Sequence, residues 1–154
     1  MSAVPQDTLR AMKAVVIGCG RVGSAVAIQL ADEGWDVTCV DEDEDALKRL
    51  GNWGGGFVVG HAMETTVLEA AGIADADAAV VATDGDNTNV VIGQVAQRRY
   101  GIGCVVVRLL DPRRAEFYEK LGLRTVCPTK TAISFLTEAV KACETRPVGA
   151  GEPG

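Results

Sequence analysis

Near the start of the chain four apolar residues, Ala14-Val15-Val16-Ile17, run straight into Gly18-Cys19-Gly20-Arg21-Val22-Gly23. This junction constrains the fold more than any other stretch. An unbroken apolar run reads as a strand buried on both faces, and three glycines at this spacing read as the turn from strand to helix. Gly18 permits the tight turn, Gly20 leaves the backbone bare where a pyrophosphate would approach, and Gly23 lets the helix lie close to the strand. The N–H groups that open the helix, with the positive end of its dipole, then form an anion hole made of backbone. Glycines alone are weak evidence in a chain with 18 of them, so the flanks decide. Val26, Ala27, Leu30 and Ala31 form a helical apolar stripe, Gly34 stops it, and Trp35 to Val40 read as a second strand. Asp41 ends that strand 23 residues after Gly18, where a carboxylate accepts hydrogen bonds from ribose hydroxyls. The unit reads as a nucleotide-binding strand-helix-strand; the alternative is an ordinary one whose glycine turn is only structural.

The alternation continues to the end of the chain. Residues 43–50 read as a helix with acids in its first turn and bases in its last. Phe57 to Val59 form a short third strand ending at Gly60-His61-Ala62, and Met63 to Ala71 a helix stopped by Gly72. Ala78 to Ala82 form a fourth strand, capped through Thr83-Asp84-Gly85-Asp86 into a helix from Asn87 to Tyr100. Cys104 to Leu109 form strand five, Pro112 opens a helix to Lys120, and Thr125 to Cys127 form strand six. An amphipathic helix follows from Lys130 to Glu144. The class is α/β, a Rossmann-like doubly wound parallel sheet of six strands in the order 3-2-1-4-5-6. Ligands then sit at the switch point outside strands one and four, beside Gly18 to Arg21, Asp41-Glu42, Gly60 to Ala62 and Thr83-Asp84. One domain over 12–145 is expected, between a disordered N-terminus (1–11) and a disordered Pro/Gly tail (146–154).

Composition narrows the function. A chain of 154 residues makes one domain, and 47% hydrophobic with only 5% aromatic content suits a Val, Ile and Ala sheet. A net charge of −6 argues against nucleic acid as a partner. No apolar run is long enough to span a bilayer and Met1 to Ala11 lack a signal peptide's apolar region, so a cytoplasmic location is expected. Cys19, Cys39, Cys104, Cys127 and Cys143 are odd in number and include no CxxC. They read as small hydrophobes in a reducing compartment, with a redox-sensing Cys19 in the glycine turn as the alternative.

These residues resemble one family closely, the TrkA N-terminal domain, also called RCK or KTN. The resemblance runs from the glycine turn and Val40-Asp41 through Gly60-His61-Ala62, Leu68 to Ile73 and Ala82-Thr83-Asp84. It continues through Asp86, Asn89, Arg108, Leu121-Gly122-Leu123 and Pro128, covering about residues 13–143. It implies a non-enzymatic regulatory subunit that binds NAD(H) or ATP/ADP and controls a membrane potassium uptake transporter or channel from the inner face of the membrane. The site it implies comprises Gly18, Cys19, Gly20, Arg21, Val22, Gly23, Asp41, Glu42, Gly60, His61, Ala62, Thr83, Asp84, Asn89 and Arg108. Asp41 would hold the adenosine ribose, Gly60 to Ala62 would flank the adenine, and Arg21 would contact phosphates, including those bound by a neighbouring subunit; the alternative for Arg21 is a solvated residue at the helix start. The acids at 42–45 are either a solvated helix start or a repulsion of a 2′-phosphate that disfavours NADP; the two are compatible.

Three departures from the family pattern matter. His61 stands where Asp or Asn is usual, either as a plain loop histidine or as a pH-sensitive contact. Thr129 replaces a frequent Glu after Pro128, so no metal site is expected there. Most members carry a further C-terminal regulatory domain, and its role is expected to fall to a separate partner protein. The last helix either packs on its own sheet or, as in the family, crosses to a second subunit; the homodimer, or a larger ring, is the expectation. Two other functions compete. A small NAD-dependent oxidoreductase needs a substrate pocket and an acid or base, and neither Tyr100 nor Tyr118 is followed four residues later by Lys. An NADH or cysteine redox sensor is the other.

Overall fold

The computed structural model describes residues 10–143. The expected disorder of 1–9 and 146–154, and the last residue of the final helix, Glu144, lie outside the described residues. The elements are β1 (Lys13–Ile17), α1 (Arg21–Asp32), β2 (Asp36–Asp41), a 3-10 helix (Glu44–Leu50), β3 (Gly56–Val59), α2 (Thr65–Ala70) and a 3-10 turn (Ile73–Asp75). They continue with β4 (Ala78–Val81), α3 (Asp86–Arg98), β5 (Cys104–Arg108), α4 (Pro112–Lys120), β6 (Arg124–Val126) and α5 (Pro128–Cys143). All strand pairs are parallel, in the order β3-β2-β1-β4-β5-β6. The expected order therefore holds, and the strand order reverses between β1 and β4.

Both faces of the sheet are buried, as an apolar β1 without alternation requires. Ala14 and Val16 pack with Val37, Cys39, Ala46 and Leu50 under α1. Val15 and Ile17 pack on the other face with Val81, Val107, Leu68, Ile73 and Ile92. At the foot of the sheet Asp77 ties β1 to the start of β4. Its Oδ2 accepts from Lys13 N at 2.8 Å and its Oδ1 from Arg10 at 2.9 Å. The Lys13 N–H, ahead of the Arg10 contact, holds the Asp77 carboxyl below its ordinary pKa.

Two elements differ from the sequence expectation, and α5 departs only from the alternative given for it. Residues 43–50 form a 3-10 helix because Asp43 caps Asp45 N at 2.9 Å and Ala46 and Leu50 are both drawn into the core over a short span closed by Gly51. α2 starts two residues after Met63, since Met63 N donates to the His61 ring and Glu64 N to His61 O, forming a turn first. α5 does not pack on its own sheet: every residue from Thr129 to Cys143 is exposed, Phe135 and Leu136 each at 67%. Three of the five cysteines are buried as small hydrophobes, Cys104 is half-buried, and Cys143 on α5 is exposed.

Candidate nucleotide-binding site

The C-terminal ends of β1, β2, β3 and β4 open onto one cleft of about 390 Å³. Gly18, Gly20, Asp41, Glu42, Gly60, His61, Ala62, Thr83 and Asp84 line it together, from four separate loops. Cys19, Arg21, Val22, Gly23, Asn89 and Arg108 do not form its wall; the geometry gives most of them work behind it.

The three glycines divide along physical lines. Gly18 has φ +90°, and a Cβ there would stand 2.7 Å from the Ala82 carbonyl carbon, so both conformation and space exclude a side chain. A Cβ on Gly23 would come within 1.7 Å of Gly18 O, where α1 crosses the end of β1. Gly20 has an ordinary φ of −72°, and a Cβ there would meet no protein atom within 4 Å. Only a ligand gives Gly20 a steric reason.

Hydrogen bonds fix which backbone donors remain for that ligand. Gly18 N donates to Val40 O at 2.8 Å and Cys19 N to Asp41 Oδ2 at 2.8 Å. At the far end Ser24 N returns to Gly20 O at 3.0 Å, the first bond of the helical ladder. The N–H groups of Arg21, Val22 and Gly23 precede that bond and have no acceptor in the ladder. Arg21 and Val22 thus offer main chain at the mouth, with their side chains exposed. Asp41 Oδ1 accepts from Asp43 N at 2.9 Å. Each carboxylate oxygen thus spends one lone pair on backbone and keeps another for a hydroxyl donor.

On the far wall, Thr83 is held from behind. Asn89, 1% exposed, accepts from Thr83 N at 3.1 Å and from the Thr83 hydroxyl, and its amide donates to Thr83 O and Arg108 O, each at 2.9 Å. Arg108 Nη2 donates to Thr83 O at 2.8 Å and lies 3.6 Å from Asp84 Oδ1. Asn89 and Arg108 therefore set the β4 loop without reaching the cleft.

At the opposite edge His61 Nε2 lies 3.0 Å from Glu42 Oε1, and His61 Nδ1 accepts from Met63 N at 3.2 Å. The accepting Nδ1 assigns the ring proton to Nε2, which donates to Glu42. Cys19 lies beneath the turn, fully buried beside Cys39. The side-chain hydrogen bond with Cys19, then burial, push the Cys39 thiol well above its ordinary pKa.

The cleft also takes in Asp43, Arg49, Gly85 and Thr88, which sequence reasoning missed. Thr88 sits in the first turn of α3, so its position relative to the Thr83 loop was available in principle. The sequence shows Arg49 only as a base balancing a helix dipole; nothing in the pattern of residues 43–50 says that it turns back toward the glycine turn.

A family model for the TrkA-N domain matches residues 14–129. The chain belongs to the TrkA-N domain family. Among curated relatives, this TrkA-N domain is 41% identical over 120 residues to the Trk system potassium uptake protein TrkA of Streptomyces coelicolor. That match covers 77% of this chain and 54% of the relative. The protein of the same name from Mycobacterium tuberculosis is 30% identical over 128 residues, with 82% of this chain and 58% of the relative covered. The chain spans just over half the length of these relatives. Among solved structures, the Kef C-terminal domain of Shewanella denitrificans in its AMP-bound form superposes with a TM-score of 0.72 at 26% identity, over 84% of this chain and 80% of that one. No helix of the described residues is long and apolar enough to cross a membrane.

Proposed function

We propose that this TrkA-N domain binds an adenine nucleotide, NAD(H) or ATP/ADP rather than NADP, and regulates a membrane potassium-uptake transporter or channel without catalysing a reaction. One observation carries the reading: free α1 N–H groups and a bare Gly20 face a cleft in which the Asp41 carboxylate stands beside the glycine turn. That arrangement fits a phosphate against the α1 N–H groups and the neighbouring ribose against Asp41. The AMP-bound Shewanella denitrificans relative supports adenine nucleotides as the class, and the curated TrkA relatives support potassium uptake as the process.

Glu42 and Asp43 line the wall beside Asp41 and would repel a 2′-phosphate, which supports the exclusion of NADP. Neither tyrosine lines the cleft, and the only histidine is engaged with Glu42 and Met63 N, which supports a role without general acid or base chemistry. The unpacked apolar face of α5 supports a homodimer or ring, and control of a potassium transporter from the inner face of the membrane goes with a cytoplasmic location. Arg21, exposed beside the mouth, is suited to reach a nucleotide held by a neighbouring subunit.

Thermal unfolding with NAD+, NADH, NADPH, ATP and ADP tests the reading. A ligand at about 100 times its dissociation constant adds about 2.7 kcal/mol, or roughly 5 to 10 °C for a domain of this size. The expected result is such a shift for NAD(H) or ATP/ADP, little with NADPH, no turnover, and a smaller shift in Arg21→Ala. Absence of a shift with every adenine nucleotide would overturn it.

A further inference from the structure

Four carboxylates line the cleft, those of Asp41, Glu42, Asp43 and Asp84, and a single guanidinium, that of Arg49. A phosphate entering this wall meets repulsion from those carboxylates, and Arg49 is the one lining side chain with an opposing fixed charge. Arg49 is exposed, yet among the described residues it forms no ion pair with any of those carboxylates. Among the described residues its one hydrogen bond runs from Nη1 to Cys19 O at 3.4 Å, a long contact that uses one of five donors. Cys19 O belongs to the same peptide unit as the Gly20 N–H. The guanidinium therefore sits against the glycine turn. The 3-10 segment that carries it is pinned by buried Ala46 and Leu50 on either side and capped by Asp43, so its approach is built in.

We infer that Arg49 is the side chain through which this site reads the charge of a nucleotide's 5′-phosphate: its free guanidinium donors answer the phosphate that the α1 N–H groups cradle. The inference rests on the adenine-nucleotide reading above. By donating to Cys19 O, Arg49 also polarises the peptide whose N–H belongs to Gly20, which strengthens that donor. The ligand chemistry is a 5′-phosphate or 5′-pyrophosphate on an adenosine, as in AMP, ADP or NAD+, and not the 2′-phosphate that distinguishes NADP+.

Isothermal titration of the intact chain with adenosine, AMP, NAD+ and NADP+ tests this, comparing wild type with Arg49→Gln and Arg49→Lys. Arg49→Gln is expected to weaken AMP and NAD+ about tenfold, leave adenosine within about twofold, and flatten the salt dependence of AMP binding. Arg49→Lys, which keeps the charge, is expected to retain a preference for AMP over adenosine. Unchanged AMP affinity in Arg49→Gln overturns the inference. So does an equal loss for adenosine and AMP, which would mark a framework or base contact, or a loss confined to NADP+, which would mark a 2′-phosphate contact. If the wild-type chain binds adenosine but not AMP or NAD+, the phosphate role fails alone; if it binds none of the four, the parent reading fails and this inference with it.

Discussion

At the level of single residues, Gly20 and Gly23 separate binding from folding. Both belong to one motif, but a Cβ on Gly23 meets Gly18 O at 1.7 Å while one on Gly20 meets nothing. Gly23→Ala should therefore cost about 3 kcal/mol or more, read as a lowered urea midpoint, because α1 cannot stay on β1. Gly20→Ala should leave the midpoint within about 0.5 kcal/mol and abolish the thermal shift given by adenine nucleotides. A Gly20→Ala protein that still binds them would show that nothing approaches the backbone there. Asn89 makes a different prediction. It satisfies Thr83 and the Arg108 carbonyl from a buried position, so Asn89→Ala strands those groups and should cost about 2 to 3 kcal/mol in the same assay.

Among the elements, β1 and β4 are joined at their N-terminal ends by Asp77, through Lys13 N and Arg10. The folded-state pKa of Asp77 is lowered, chiefly by the Lys13 N–H. Its stabilisation is therefore complete above the ordinary carboxylate value of about 4 and is lost as the pH falls through the lowered folded value. Asp77→Asn should be less stable than wild type at neutral pH, with the gap closing in strong acid; equilibrium denaturation at a series of pH values measures it. A gap independent of pH would mean that the carboxylate's charge plays no part.

The molecule as a whole is decided by α5. Ile133, Phe135, Leu136 and Val140 are each more than half exposed, on a helix of 16 residues. An apolar stripe of that extent is unfavourable in water and suits a second copy of the chain. Leu136→Asp should turn a dimer into a monomer in multi-angle light scattering. Its unfolding midpoint, extrapolated to low protein concentration, should match wild type, since no residue from Thr129 to Cys143 is buried within its own chain. A wild-type monomer at micromolar concentration would remove this reading of α5.

The fold class, the strand order and most of the cleft wall were legible in the sequence because they depend on local rules. Unbroken apolar runs make strands buried on two faces, glycine spacing makes the strand-to-helix turn, and right-handed crossovers then leave one strand order. Gly18, Asp41, Gly60 and Thr83 could be assigned to one site for that reason: each directly follows or ends a strand whose place in the sheet was already determined. What the sequence left open depends on contacts between distant segments. Whether residues 43–50 coil as an α-helix or a 3-10 helix was set by the depth to which Ala46 and Leu50 are drawn into the core, and with it the return of Arg49 to a carbonyl 30 residues earlier. Likewise Asn89 and Arg108 were legible as members of the site but not as its support, because a side chain's direction follows from what surrounds it. For α5 the periodicity showed an apolar face; only the tertiary structure decided that its own sheet does not cover it.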